Sequence, residues 1–76
     1  MDKLLQEIEI NTSYITLGQV LKLTDAFESG GYIKSYLQTN GVDVNEEREH
    51  RRGRKLYDGD IISLDSGAKY IVKQSS

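Results

Sequence analysis

The chain has 76 residues, of which 37% are hydrophobic and 29% charged, and its formal net charge is -2. Such a length allows one domain without a second core, so we expect a single domain over residues 1–76. The chain has no cysteine, which excludes a disulfide framework and thiolate chemistry. No apolar run could span a bilayer, and the first residues lack the apolar stretch of a signal peptide, so we expect a soluble cytoplasmic protein without a membrane partner.

The N-terminal part predicts one strand and one short helix. Residues 7–12 alternate polar and apolar side chains, as in a half-buried strand. Thr16 is followed three residues later by Gln19, a spacing typical of a capping box, which starts a helix. We expect this helix to end near Asp25 or Ala26.

A second helix is predicted after a glycine-containing loop over residues 27–31. Ser29 is the candidate N-cap, and Ile33, Tyr36 and Leu37 form an apolar stripe at helical spacing. Asn40-Gly41 predicts the end of this helix, because glycine readily adopts a positive φ.

From residue 42 the pattern changes to short strands and turns. We expect strands at residues 42–44, 61–64 and 70–72, with turns at residues 45–47, 57–60 and 65–67. One strand, two helices and then several strands predict an α+β domain, in which the helix pair packs on a small, mostly antiparallel sheet.

A basic cluster is the most informative local feature of the sequence. Five of the ten basic side chains lie within residues 48–55, REHRRGRK, although the whole chain is acidic. Arginine presents a planar fork of donors that matches phosphate oxygens, so the cluster indicates a phosphate-rich partner, with nucleic acid as the leading candidate. The alternative is a solvated basic turn. Gly53 would let the strand kink or let RNA approach closely.

The remaining polar residues do not suggest an enzyme. His50 is the only histidine, so neither a metal site nor a cofactor is expected. No serine, histidine and acid follow one another in a catalytic pattern. Glu46, Glu47 and Glu49 lie beside arginines, which predicts local salt bridges. Tyr36 of the apolar stripe is predicted to lie in the core, and Tyr14, Tyr57 and Tyr70 are predicted to be packing residues.

The motifs follow one another in a specific order. TLGQVLK (16–22) is followed by SGGYIKSYL (29–37), GVDVN (41–45), RRGRKL (51–56) and GDII (59–62). This ordered set resembles the RNA-binding domain named after the fourth protein of the small ribosomal subunit, also called the alpha-L motif. Within that superfamily it is most similar to the stand-alone bacterial YaaA-type proteins. The resemblance covers roughly residues 13–73.

The resemblance implies a monomeric RNA-binding module of alpha-L fold that contacts structured RNA, either ribosomal RNA or tRNA, and implies the ribosome as a possible partner. The expected RNA contacts are Thr16, Gln19, Lys22, Ser29, Gly30, Gly31, Tyr32, Lys34, Arg51, Arg52, Arg54 and Lys55. Among these, the first turn of the second helix is expected to bind phosphate, and Tyr32 could stack on a base. A protein-interaction adaptor, docking an acidic partner through the same basic patch, is the alternative.

One position departs from the family pattern. The family usually has Asn-Gly in the turn after residue 44, whereas Asn45 is followed here by Glu46 and Glu47. The turn type is therefore left open, because glycine usually supplies the positive φ. Two carboxylates near an RNA-binding face would also repel phosphate.

Overall fold

The fold combines two helices with a five-stranded sheet and a separate two-stranded ribbon. We analysed a computed structural model, which describes residues 5–24, 27 and 30–75. The helices are α1 (Leu17–Leu23) and α2 (Gly30–Thr39). The strands are β1 (Leu5–Ile10), β2 (Ile15–Thr16), β3 (Val42–Val44), β4 (Glu47–Glu49), β5 (Lys55–Leu56), β6 (Ile61–Ser63) and β7 (Lys69–Gln74).

The large sheet has the strand order β1-β7-β6-β3-β4. Its neighbours are antiparallel except β1 and β7, which run parallel in the register Leu5↔Lys69 to Ile10↔Gln74. The sheet is therefore mostly antiparallel, and the α+β prediction is confirmed. The predicted first strand, residues 7–12, is displaced by two residues from the observed β1, because pairing with β7 sets its limits.

One face of the sheet packs against both helices. Alternation along the strands turns Val42, Val44, Ile62 and Val72 inward, where each is fully buried. The helices contribute the rest of this core, notably Leu17, Val20 and Leu21 from α1 and Ile33 and Leu37 from α2. The predicted apolar stripe of the second helix is thus confirmed, with Tyr36 half-buried against the same core.

The capping box that starts α1 is present as predicted. The Gln19 backbone N–H donates to Thr16 Oγ1 at 3.4 Å, and the Thr16 N–H donates to Gln19 Oε1 at 3.1 Å. The helix ends at Leu23, earlier than predicted, because Thr24 is extended and its hydroxyl donates to the Leu21 carbonyl. The predicted end residues 25 and 26, and the predicted N-cap Ser29, lie outside the described residues.

The second helix ends where the Asn40-Gly41 pair predicts. Both backbone N–H groups donate to the Tyr36 carbonyl, and Gly41 has a φ of +73°. A Cβ at Gly41 would lie 2.8 Å from the Glu49 carbonyl oxygen. Glycine therefore both ends α2 and lets β4 pass close to its C-terminus.

The β3–β4 turn is shorter than the sequence predicts. It contains Asn45 and Glu46 alone, because Glu47 already pairs with Val44 as the first residue of β4. Asn45 has a φ of +52° and Glu46 a φ of +74°. Two central residues with positive φ define a type I′ turn, so the hairpin keeps that turn although a glutamate replaces the usual glycine.

Candidate nucleic-acid interface

The segment between β4 and β5, residues 50–54, lies across the N-terminus of α1, and we call it the basic loop. The Leu17 N–H donates to the Arg54 carbonyl at 2.8 Å, and the Gly18 N–H donates to the Arg52 carbonyl at 2.9 Å. Two amides at the start of the helix are thereby satisfied by protein. The basic loop is consequently fixed to α1 by backbone hydrogen bonds.

Gly18 lies in contact with the basic loop at Arg52. A Cβ built at this position would meet Arg52 Cβ and the Arg52 carbonyl oxygen, each at 3.5 Å. Those are ordinary contact distances, so a small side chain would also fit here, and the backbone hydrogen bond from the Gly18 N–H to the Arg52 carbonyl holds the loop against the helix. The sequence analysis did not assign Gly18 a role, because the contact joins residues that are far apart in the chain.

Glu49 organises the basic loop from within. Its side chain is only 11% exposed, and its carboxylate accepts from Arg51 Nε at 3.0 Å, from Arg54 Nη1 at 2.9 Å and from the His50 N–H at 3.1 Å. Hydrogen bonds from Arg51, more than the other interactions, lower the pKa of Glu49 to about 2. The same carboxylate raises the pKa of Arg51.

The salt bridges predicted for the three glutamates form at Glu49. The prediction fails for Glu46 and Glu47, which are exposed and make no ion pair within the described part of the chain. Their positions explain this outcome, because one lies in the turn and the other at the start of β4, three residues before the basic loop.

Arg48 belongs to the opposite face of the sheet. Its Nε lies 3.0 Å from an Asp43 carboxylate oxygen, and its Nη1 donates to the Asn40 carbonyl at 2.9 Å. Neighbouring residues of a strand point to opposite faces, so Arg48 is directed away from the face that Glu49 occupies. This arginine joins the hairpin to the end of α2 and takes no part in the basic loop.

Intramolecular pairing divides the basic cluster into two groups. Arg48, Arg51 and Arg54 are held by carboxylates, and the Arg54 side chain is only 28% exposed. Arg52 and Lys55, in contrast, are exposed and make no salt bridge to any residue that the structure describes. Five neighbouring charges in sequence therefore leave two basic side chains without a carboxylate partner.

A cleft of about 270 Å³ lies where α1, α2 and the basic loop meet. Its lining brings together two predicted cations, Lys22 and Arg52, and the two capping residues of α1. The full lining is Thr16, Gly18, Gln19, Lys22, Ile33, Arg52 and Gly53. A Cβ at Gly53 would meet nothing within 4 Å, so this backbone is open to an approaching molecule. Gly53 lies in a turn. The prediction that it kinks a strand is therefore wrong.

The start of α2 agrees in part with its prediction. The helix begins at Gly30, and Gly31 and Lys34 are exposed. Phosphate binding there stays a prediction. Tyr32 is 53% exposed, and its ring packs 5.6 Å from that of Phe27 and 6.3 Å from that of Tyr36, measured between centroids.

Two tyrosines that were predicted to be packing residues lie at the surface. Tyr14 is 39% and Tyr57 50% exposed, whereas Tyr70 is buried as predicted. The Tyr14 and Tyr57 ring centroids are 6.1 Å apart with the ring planes tilted by 55°, and Lys55 Nζ lies over the Tyr14 ring, 4.9 Å from its centroid. Both tyrosines lie one residue outside a strand of the β2–β5 ribbon, and no sequence signal predicts that ribbon.

Neither metal ligation nor a membrane span is indicated by the described residues. No group of three or more His, Cys, Asp or Glu side chains in ranges 5–24, 27 and 30–75 could hold a metal ion. His50 instead places Nδ1 2.6 Å from the Leu37 carbonyl oxygen. None of the helices in the same ranges has both the length and the apolar character needed to cross a membrane.

Comparison with known proteins gives a family match and a bacterial relative. Residues 8–73 match the family model described as S4 domain. The chain is 48% identical over 65 residues to a protein of Bacillus subtilis (strain 168) named probable ribosome maturation protein RlbA. That alignment covers 86% of this chain and 92% of the relative. No solved structure matches the chain significantly.

Proposed function

The chain belongs to the S4 domain family, and on that premise we propose that it is a non-enzymatic RNA-binding protein that contacts structured RNA at the cleft between α1, α2 and the basic loop. The observation that carries the proposal is the position of Lys22 and Arg52. Both line the cleft beside the open backbone of Gly53. Neither makes a salt bridge to a residue that the structure describes, and two such cations suit a phosphate.

The paired arginines have a supporting part in this proposal. Glu49 uses its carboxylate to hold Arg51 and Arg54, and the Arg52 and Arg54 carbonyls hold α1. The loop is thereby ordered before RNA binds, which lowers the entropic cost of binding. Arg51 is 75% exposed and bonds Glu49 through Nε and Nη2. Its remaining N–H groups can still donate to a phosphate.

Structured RNA fits this surface better than a long single strand does. A fixed loop, a capped helix and a rigid cleft recognise shape and phosphate positions, as proteins that bind folded RNA commonly do. The Bacillus relative is named a probable ribosome maturation protein. We therefore propose ribosomal RNA as the target, a role in ribosome maturation, and a cytoplasmic location; the S4 family resemblance leaves tRNA as the other target to test.

The experiment compares two double variants that change the charge equally. Lys22→Gln with Arg52→Gln removes two cations from the cleft, and Lys69→Gln with Lys73→Gln removes two from β7, neither of which lines the cleft. We expect the first variant to bind ribosomal RNA about tenfold more weakly, with a salt slope reduced by roughly 0.7–0.9 for each lost phosphate contact. The second should bind almost as the parent does. Equal losses in both variants would contradict a cleft-centred interface.

RNase treatment separates RNA from a protein partner. We expect the protein to sediment with ribosomal particles and to lose that association after RNase digestion. An adaptor that docks an acidic protein through the same patch would stay associated, and that result would overturn the proposal. Salt alone does not separate the two cases, because both kinds of contact weaken as salt screens them.

A further inference from the structure

We propose that Tyr14, Tyr57 and Lys55 form a second contact site, which takes an unpaired nucleobase next to the cleft. This inference rests on the proposed RNA-binding function and extends it to a surface that the sequence analysis took for packing. The proposed ligand is an unpaired nucleotide in a single-stranded segment next to the folded part of an RNA.

The β2–β5 ribbon places these residues on one surface. Ile15 pairs with Leu56 and Thr16 with Lys55. The same antiparallel register, continued by one pair, sets Tyr14 opposite Tyr57. Ile15 and Leu56 are buried, so alternation directs the flanking pairs, Thr16–Lys55 and Tyr14–Tyr57, to the outer face.

This outer face is continuous with the cleft. Thr16 is both a cleft-lining residue and the strand partner of Lys55. Tyr14 lies two residues before Thr16, which is about 7 Å along an extended strand. A nucleotide next to one bound in the cleft can therefore reach the tyrosine pair without a change in the protein.

The chemistry of the site suits a base and its phosphate together. Half of Tyr57 and 39% of Tyr14 are open to solvent, and aromatic rings are the side chains on which unpaired bases stack. Lys55 Nζ lies over the Tyr14 ring, 4.9 Å from its centroid, so the cation covers one face of Tyr14 and is close to a base stacked on the ring pair. Lys55 has no salt bridge in the described ranges, so its charge is available to the phosphate of a stacked nucleotide.

A purely structural explanation predicts a different behaviour. Cross-strand aromatic pairs stabilise short ribbons, and the Tyr14–Tyr57 contact could serve that purpose alone. If the pair only stabilises the ribbon, replacing it would change the melting temperature, and the protein would bind RNAs with and without an unpaired segment equally well. A stacking site would discriminate between RNAs that differ in an unpaired segment.

The test measures fluorescence anisotropy with two RNA probes: a blunt hairpin, and the same hairpin with a short single-stranded tail. The proteins are the parent, Tyr14→Leu with Tyr57→Leu, and Tyr14→Phe with Tyr57→Phe. Leucine keeps an apolar side chain but removes the aromatic face, and phenylalanine keeps that face. We expect the parent to bind the tailed hairpin about tenfold more tightly than the blunt one. The Leu variant should lose this preference and keep its affinity for the blunt hairpin, and the Phe variant should keep both.

The outcomes separate this inference from the proposed function. If the parent binds the two hairpins equally, the stacking site is wrong, and this holds even if the Leu variant does not fold. A Leu variant that folds and keeps the preference also overturns it. If neither hairpin binds, or if Lys22→Gln with Arg52→Gln leaves the affinity for both hairpins unchanged, the proposed function itself is wrong.

Discussion

Glu49 is an acid inside a cluster of arginines, and at the scale of single residues it decides the shape of the basic loop. It faces the core side of β4, where alternation places it, and its carboxylate accepts from two arginine side chains and two backbone amides. Every strong acceptor position is thereby used. Such a carboxylate strongly favours its ionised form.

The pH dependence of stability should report this carboxylate. The pKa of Glu49 falls from an ordinary 4.5 to about 2 on folding. Because the folded pKa is the lower one, its stabilising effect is complete above about pH 4.5 and is lost as the pH falls towards 2. We expect Glu49→Gln to lower the free energy of unfolding at neutral pH by on the order of 2 kcal/mol. It should also flatten the loss of stability between those two pH values.

Urea unfolding followed by circular dichroism at several pH values would check this. Glu7→Gln is the matched control, because Glu7 is an exposed acid on β1 and should change neither the stability nor its pH profile appreciably. A Glu49→Gln protein with the parental pH profile would show that this carboxylate does not hold the loop.

The β3–β4 hairpin is the element in which sequence and structure are in conflict. Glu46 adopts a φ of +74°, a left-handed conformation that costs roughly 1–2 kcal/mol for a residue with a Cβ. The neighbouring interactions hold it there. The Asn45 side chain donates to Asp60 Oδ1 at 3.0 Å and accepts from the Ile61 N–H at 3.0 Å. These contacts fix the turn against the start of β6.

Replacing Glu46 by glycine should therefore stabilise the protein. Relief of the strained φ exceeds the extra entropy of a glycine in the unfolded chain, so we expect a gain of about 0.5–1 kcal/mol. Glu46→Ala is the control, because it removes the same charge and keeps the Cβ. Thermal unfolding should give a higher midpoint for Glu46→Gly alone. Equal midpoints for the two variants would mean that charge, and not backbone strain, determines the effect.

Elements that rest on local rules could be predicted from the sequence. The capping box at Thr16 and Gln19 located α1, and Gly41 located the end of α2, because each signal lies within one turn of its effect. The parallel pairing of β1 with β7 was not predictable, since it joins strands 64 residues apart in register. The same limit hid the ring pair of Tyr14 and Tyr57, which depends on two strands of two residues each.

The sequence predicted the position of the candidate site, but the tertiary structure determines which of its basic side chains are paired with carboxylates. The run REHRRGRK identified the basic loop, but sequence alone gave its arginines equal roles. Which of them remain without a carboxylate partner depends on the inward position of Glu49 and on the opposite orientation of Arg48, and both follow from the strand pairing of β4. The contact between Gly18 and Arg52 was missed for the same reason.

At the scale of the whole molecule, the exposed acidic side chains lie at different distances from the basic loop. β1 carries Glu7 at one edge of the sheet, and β4 with the basic loop forms the other edge. Four strand spacings separate these edges, about 19 Å. Glu47, in contrast, lies on β4, two residues or about 7 Å from Glu49. At moderate salt the first distance exceeds the Debye length of about 10 Å, and the second lies within it.

Two single variants of equal charge should therefore differ in how fast they bind RNA. Glu47→Gln removes a nearby repulsion and should raise the association rate about twofold to threefold at low salt, with little change in the dissociation rate. Glu7→Gln makes the same change in net charge at the far edge and should have a smaller effect. Raising the salt should remove both effects, because screening acts on exposed charges. Stopped-flow measurements at two salt concentrations would decide. Equal accelerations would mean that net charge alone governs the encounter, whereas a slower Glu47→Gln protein would mean that this acid helps to orient the RNA.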